Sequence, residues 1–189
     1  MSITSGPDVA AAYDAIATDP KAAPFACGSS LAEEVGYPRE ILQDIPAPCV
    51  ERFCGLSNLA VWAPWEGQKL ILDVGCGSGL DTLILGQRTG ATIVGVDFSD
   101  TMLSVARKAA REVKLANVTF TRARANLLPF ADQTFEAAVF NGILNLNRHR
   151  LKILQELRRV LKPDASLWAS EIVLQGERPP SSAEANWFA

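Results

Sequence analysis

One run constrains this chain more than any other: Leu70-Ile71-Leu72-Asp73-Val74-Gly75-Cys76-Gly77-Ser78-Gly79-Leu80-Asp81. It reads as a buried strand, a glycine-rich turn and the start of a helix, an order that places a ligand at the strand's carboxyl end. Glycines at 75, 77 and 79 let the backbone approach that ligand, because a Cβ would occupy its volume. A dinucleotide fingerprint reads G-x-G-x-x-G, and Leu80 stands where its third glycine belongs. Alternate glycines after an acid suit instead a nucleoside without a pyrophosphate. A second apolar run ends at Asp97, 22 residues after Gly75, where a carboxylate can accept from both ribose hydroxyls. Adenosine is implied; the competing reading is that Asp97 only caps a helix opening near Ser99.

Around that turn, apolar runs alternate with amphipathic stretches. Residues 69–74, 91–97, 118–121, 135–140 and 166–173 read as strands, the first two apolar on both faces. Residues 80–88, 100–113 and 148–161 read as helices. Asp100 or Ser99 caps the second, and Lys162-Pro163 stops the third after Leu151, Leu154, Leu157 and Leu161 line one face. Alternation of this kind means parallel pairing and an α/β layered fold.

The first 66 residues differ, holding seven of the eleven prolines. They read as a helical lid over 1–66 on a core over 67–189. Short helices are expected near 8–17, 30–36 and 38–44, the second opened by a Ser30–Glu33 capping box. The balance of 18 basic against 21 acidic residues, net −3, gives no electrostatic drive toward nucleic acid. No apolar run reaches a membrane span, and the start lacks a signal-peptide pattern, so the reading is cytoplasmic. Cys27, Cys49, Cys54 and Cys76 then read as free thiols, and with His149 the lone histidine no metal site is expected.

With these residues in view, the chain resembles a class I S-adenosylmethionine-dependent methyltransferase. The first motif is Asp73–Gly79, the second is Gly95-Val96-Asp97, and Leu128-Pro129-Phe130 matches a third segment; the resemblance covers 69–175. It implies a Rossmann-like, mostly parallel sheet with helices on both faces and strand order 3-2-1-4-5. S-adenosyl-L-methionine is the implied cofactor. Asp73, Gly75 and Gly77 would hold its methionine part, with Cys76 and Gly79 of the same turn also at the cofactor, Asp97 the ribose, and Phe98 and Met102 the adenine. Ala125, Asn126 and Leu127 complete the adenine side, where Arg124 stands in the place of the family's usual acid and cannot accept a hydrogen bond.

Segments 13–17, 24–28, 31–38, 50–58 and 141–146 further resemble arsenite-methyltransferase-like members. Those members bind trivalent arsenic through cysteines, one of which aligns with Gly142 here. Cys27 and Cys54 remain as soft ligands or as ordinary buried side chains; Cys76 reads as packing, and Cys49 has no evident task. Methyl transfer asks the protein mainly to align and desolvate. Asn141, at the end of the fourth strand, is the candidate catalytic residue, facing the methyl group and orienting a small-molecule or metalloid acceptor. Asn145 does likewise or caps a turn. His149 reads as a solvated imidazole, and Arg148, Arg150, Lys152, Arg158, Arg159 and Lys162 as a solvated face.

The family's sixth and seventh strands have no counterpart, so the chain reads as truncated. Its fifth strand would be an open edge bearing Trp168, Ile172 and Leu174, an invitation to homo-oligomers, and Trp187 and Phe188 would begin a further helix. Two functions follow: an active methyltransferase, or a truncated or degenerate cofactor-binding module without turnover. A nicotinamide dehydrogenase is a distant third, disfavoured by Leu80.

Overall fold

The computed structural model describes residues 9–23, 25–147 and 149–173. Helix α1 (Val9–Thr18) and a 3-10 turn (Pro20–Ala22) precede four short helices, α2 (Ser29–Glu34), α3 (Arg39–Gln43), α4 (Ala47–Val50) and α5 (Leu59–Trp62). The core then runs β1 (Leu70–Val74), α6 (Leu80–Arg88), β2 (Thr92–Asp97), α7 (Asp100–Glu112), β3 (Val118–Arg122), β4 (Phe135–Asn141), α8 (Arg150–Val160) and β5 (Leu161–Ser170).

The five strands form one sheet in the order β3-β2-β1-β4-β5, every neighbouring pair parallel. The order reverses between β1 and β4, and a crevice opens at such a reversal beyond the strands' carboxyl ends. Asp73, Asp97 and Asn141 all sit at those ends, with Asp73 in register with Gly95 and Val139.

Strand side chains alternate between faces, which divides the core in two. Ile71, Ile93 and Val139 pack with α6 and with Tyr37, Cys49, Phe53 and Trp65 of the N-terminal segment. Leu72, Val74, Val96 and Phe140 pack on the other side with α8. The N-terminal helices thus share the sheet's own core. Asp73, two residues on from Ile71, faces the α6 side.

Four expectations are corrected. Helix α2 starts at Ser29 with Gly28 as N-cap and no side-chain cap bond, so Ser30 lies inside the first turn and Glu33 pairs with Arg39 at 2.7 Å. Helix α8 buries Ile153, Leu157 and Val160 at i, i+4 and i+7, leaving Leu151 76% exposed and Leu154 40% exposed. Its basic face is only partly solvated, because the Arg159 guanidinium binds Glu156, Asp132 and the carbonyls of Leu128 and Phe130. Strand β5 begins at Leu161, directly after α8. A register shift between Phe135↔Leu161 and Ala137↔Ser166 absorbs Lys162–Ala165, as a proline without an N–H requires.

Ser99 does cap α7, accepting from Met102 N at 3.3 Å. Among the described residues β5 has strand β4 alone beside it, and no helix is long and apolar enough to cross a membrane. Arg148, Leu174, Trp187 and Phe188 lie outside the described residues.

Candidate active site

The glycine turn is a closed hydrogen-bonded unit. The amides of Gly75 and Cys76 donate to Val96 O at 2.8 and 2.9 Å, and Gly79 N donates to Cys76 O at 2.9 Å. Gly77 N donates to Asp97 Oδ2 at 2.9 Å, while Asp97 Oδ1 accepts from Ser99 N at 2.9 Å. Phosphate cradles work by aiming free amides at an anion, and these four amides are already spent inside the protein. Gly77 has a φ of +52° and nothing within 4 Å of a Cβ built on it, so the turn is open to a close ligand that its four spent amides do not hold.

Acids surround the turn. Asp73 is 3% exposed and accepts from Thr82 Oγ1 at 2.5 Å. Asp81, 7% exposed in the first turn of α6, accepts from the Tyr37 hydroxyl and from Asn141 Nδ2, the latter at 3.2 Å. Neither carboxylate has an ion-pair partner among the described residues. Burial, then the neighbouring Asp81, pushes Asp73 up to about 8. Burial pushes Asp81 up to about 6 against the hydrogen bonds of Tyr37 and Asn141. Asp97 is raised too, by burial, against bonds from Ser99, Gly77 and Phe98 amides.

Above this floor lies an open cavity of about 500 Å3, within the range of small-molecule sites. Phe98, Met102, Ala125 and Asn126 line one end; Tyr13, Arg52, Phe53 and Cys54 contribute the N-terminal wall. Tyr13 meets the Phe98 ring edge-on at 6.3 Å. Arg52 is fixed by donating to Ala17 O at 2.8 Å and Pro48 O at 3.1 Å. Glu171, just past β5, accepts from Leu144 N at 2.5 Å and Asn145 N at 3.2 Å, seating the loop whose Ile143 covers Gly75.

Asp73, Gly75, Cys76, Gly77, Asp97, Phe98, Met102, Ala125, Asn126 and Asn141 all line the cavity. Gly79 and Leu127 do not. A Cβ on Gly79 would meet Ala106 at 2.9 Å and Phe120 at 3.3 Å, so that glycine serves helix packing and a left-handed turn. Leu127 closes a tight turn on Arg124 O at 2.9 Å and points outward, 72% exposed. Asn141 is reached from the cavity, but its amide is committed: Oδ1 accepts from Leu56 N, and Nδ2 donates to Ser57 O, both at 2.7 Å, as well as to Asp81. With no donor left for an acceptor, it clamps the Leu56–Ser57 loop. Asn145 does not line the cavity; its Nδ2 donates to Ile172 O at 2.7 Å. His149 is exposed at the cavity's rim.

The Cys27 thiol donates to Pro20 O at 3.2 Å and the neighbouring Cys54 thiol to Arg52 O at 3.4 Å, with Cys54 in the cavity wall. Burial raises both, pushes Cys49 up to about 12 and holds Cys76 well above the usual thiol value, so all four are held as thiols. No His/Cys/Asp/Glu cluster fit for a metal ion occurs among the described residues. Sequence reasoning missed Tyr37 and Asp81. Asp81 had a readable signal, an acid in the first turn after a glycine loop; Tyr37, 44 residues away, had none.

A family model described as a methyltransferase domain matches residues 66–187. The chain belongs to this family. Its class I fold and cofactor motifs are those of S-adenosylmethionine-dependent methyltransferases. An arsenite methyltransferase of Halobacterium salinarum is 26% identical over 147 residues, 77% of this chain and 37% of that protein. A demethylmenaquinone methyltransferase of Thermus thermophilus is 40% identical over 120 residues, 62% of this chain and 52% of that one. The crystal structure of an arsenic(III) S-adenosylmethionine methyltransferase from Chlamydomonas reinhardtii superposes with a TM-score of 0.68 at 28% identity. That match covers 78% of this chain and 52% of the algal one. The match therefore spans about half or less of these relatives. S-adenosylmethionine is the cofactor this family implies, and the residues fit it: buried acids without counter-charge suit a cation, and the open Gly77 admits a close ligand.

Proposed function

We propose that this methyltransferase-domain chain binds S-adenosylmethionine in the cavity and directs its methyl group to a small-molecule acceptor. One observation carries the reading: three buried acids, Asp73, Asp81 and Asp97, surround a glycine turn whose Gly75, Cys76, Gly77 and Gly79 amides are already used. Such a site favours a cation and disfavours a pyrophosphate. Asp97 accepts amides on both oxygens and, with about four acceptor sites, still has capacity for a ribose hydroxyl, so its capping bond and its ribose role coexist. Phe98 and Met102 supply an apolar adenine wall; Asn126 and the Ala125 backbone offer the acceptors that Arg124 lacks. Asp73 faces the methionine part.

The cofactor, when bound, supplies an activated methyl group on a sulfonium. The chain's own task is alignment and exclusion of water, with Asn141 a positioning residue that joins β4 to the Leu56–Ser57 loop. A metalloid acceptor is favoured by the adjacent Cys27 and Cys54, and a quinone-like one by the apolar Phe53, Ile143 and Leu146 of the cavity. The test is methyl transfer from labelled S-adenosylmethionine to arsenite, selenite and quinone precursors. Transfer to one of them that is lost in Asp97→Ala supports the proposal; binding of NAD but not S-adenosylmethionine contradicts it.

A further inference from the structure

We propose that the rim of the cavity is a docking surface for an anionic lipid bilayer, from which an apolar acceptor enters the site. The docking stands by itself; the acceptor's route deepens the quinone-like branch of the proposed function and rests on it. Charge along the chain points to this surface. Residues 122–162 carry eight Lys and Arg against three Asp and Glu, a net +5, and the rest of the chain carries ten against eighteen, a net −8. The acids of that stretch are neutralised within it: Arg159 takes Glu156 at 2.8 Å and Asp132 at 2.9 Å, and Lys162 takes Glu136 at 2.9 Å. Arg124, Lys152 and Arg158 are exposed and enter no ion pair among the described residues.

Two exposed leucines lie among these bases. Leu127, 72% exposed, closes the tight turn begun at Arg124. Leu151, 76% exposed, stands two helical turns before Arg158 on the face of α8 turned away from Ile153, Leu157 and Val160. Turn and helix form one rigid unit, because Glu156 accepts from Leu128 N at 2.8 Å and Arg159 donates to Leu128 O at 2.9 Å. Lys152 lies one turn of α8 before Glu156 and on the same side. Both elements border the cavity, the turn through Arg124 and Asn126, the helix through His149 and Ile153. Leucines set beside Lys and Arg suit a bilayer interface, where apolar side chains enter the acyl boundary and the bases meet anionic headgroups. A soluble polyanion would engage the bases and leave both leucines in water. The contact is peripheral, since no helix among the described residues is long and apolar enough to cross a membrane. Docked in this way, the cavity mouth opens on the phase in which an apolar acceptor dissolves.

The test is flotation of the whole chain with vesicles of phosphatidylcholine alone and of phosphatidylcholine with phosphatidylglycerol, at low and high salt. Binding is expected to the anionic vesicles only, and to fall as salt rises. Lys152→Gln with Arg158→Gln should weaken it about fivefold for each base removed. Leu127→Ser with Leu151→Ser should weaken it about tenfold or more, while thermal unfolding of both double variants stays at the wild-type value. No binding to anionic vesicles, equal binding to neutral ones, or unchanged binding in either double variant overturns the proposal. Capture by duplex DNA or polyglutamate in place of vesicles overturns it as well. Methyl transfer to a water-soluble quinone analogue, run without vesicles, reports separately on the acceptor reading. Transfer without vesicle binding overturns the docking alone; vesicle binding without transfer overturns the acceptor's route and supports the docking.

Discussion

Two buried acidic sites in this molecule are built in opposite ways. Glu156 of α8 is 6% exposed, accepts Leu128 N at 2.8 Å, and receives Arg159 through Nε at 3.0 Å and Nη2 at 2.8 Å. Arg159, then the Leu128 amide, outweighs burial and pulls Glu156 down to about 2. Asp73 and Asp81 have hydroxyl and amide donors but no cation among the described residues, and both are raised. A buried charge is costly unless paired. Where the partner is built in, the acid acts as a rivet, here fixing the Leu128–Asp132 loop to α8. Where it is left out at a cavity floor, the partner is expected to arrive with a ligand.

Breaking the rivet should have the largest effect. Glu156→Ala strands the Leu128 amide and frees Arg159, and thermal unfolding followed by circular dichroism should show a Tm roughly 5 °C or more below wild type. Next comes Asp97→Ala, expected to weaken S-adenosylmethionine about 10- to 100-fold by titration, the range for hydrogen bonds to a charged group. Asp73→Asn should act in opposite directions on its two readouts, lowering cofactor affinity while raising the Tm of the ligand-free protein by a few degrees near pH 8.

The sign follows from linkage. A carboxyl whose folded pKa lies above its unfolded value, about 4, costs stability as pH climbs from there toward about 8. The Asn variant escapes that loss. Glu156 does the reverse: its stabilisation is complete above the unfolded value and disappears as pH falls toward about 2. Smallest of all is Arg39→Ala. It removes a surface pair with Glu33 whose arginine is 74% exposed, and neither Tm nor affinity should move measurably.

The fold was legible where pattern and burial coincide. Runs apolar on both faces marked β1 and β2, and the acid-glycine turn between β1 and α6 located the cavity. Local counting failed where tertiary contacts choose among equivalent local options. Leu151 and Leu154 read as core, but α8 is phased by Ile153, Leu157 and Val160 against β4. Arg159 looked like one more solvated base until the fold brought Asp132 and two loop carbonyls to it. Asn141 was legible as a site residue, yet its neighbours are 84 and 85 residues away in sequence, so its clamp role was not. The Tyr37–Asp81–Asp73 arrangement joins a proline-bounded segment to the glycine turn, a pairing that no spacing encodes.

The contrast between the two acids is open to direct observation. Carboxyl-carbon NMR titration of the ligand-free protein, with Asp73→Asn and Glu156→Gln for assignment, reads each group's protonation. The account predicts one aspartate that remains protonated through neutral pH, titrates near 8 and vanishes in Asp73→Asn, beside one glutamate ionised down to about 2. An Asp73 that titrates at the ordinary value near 4 would contradict it, since its carboxylate would then carry a buried charge at neutral pH as readily as one in water.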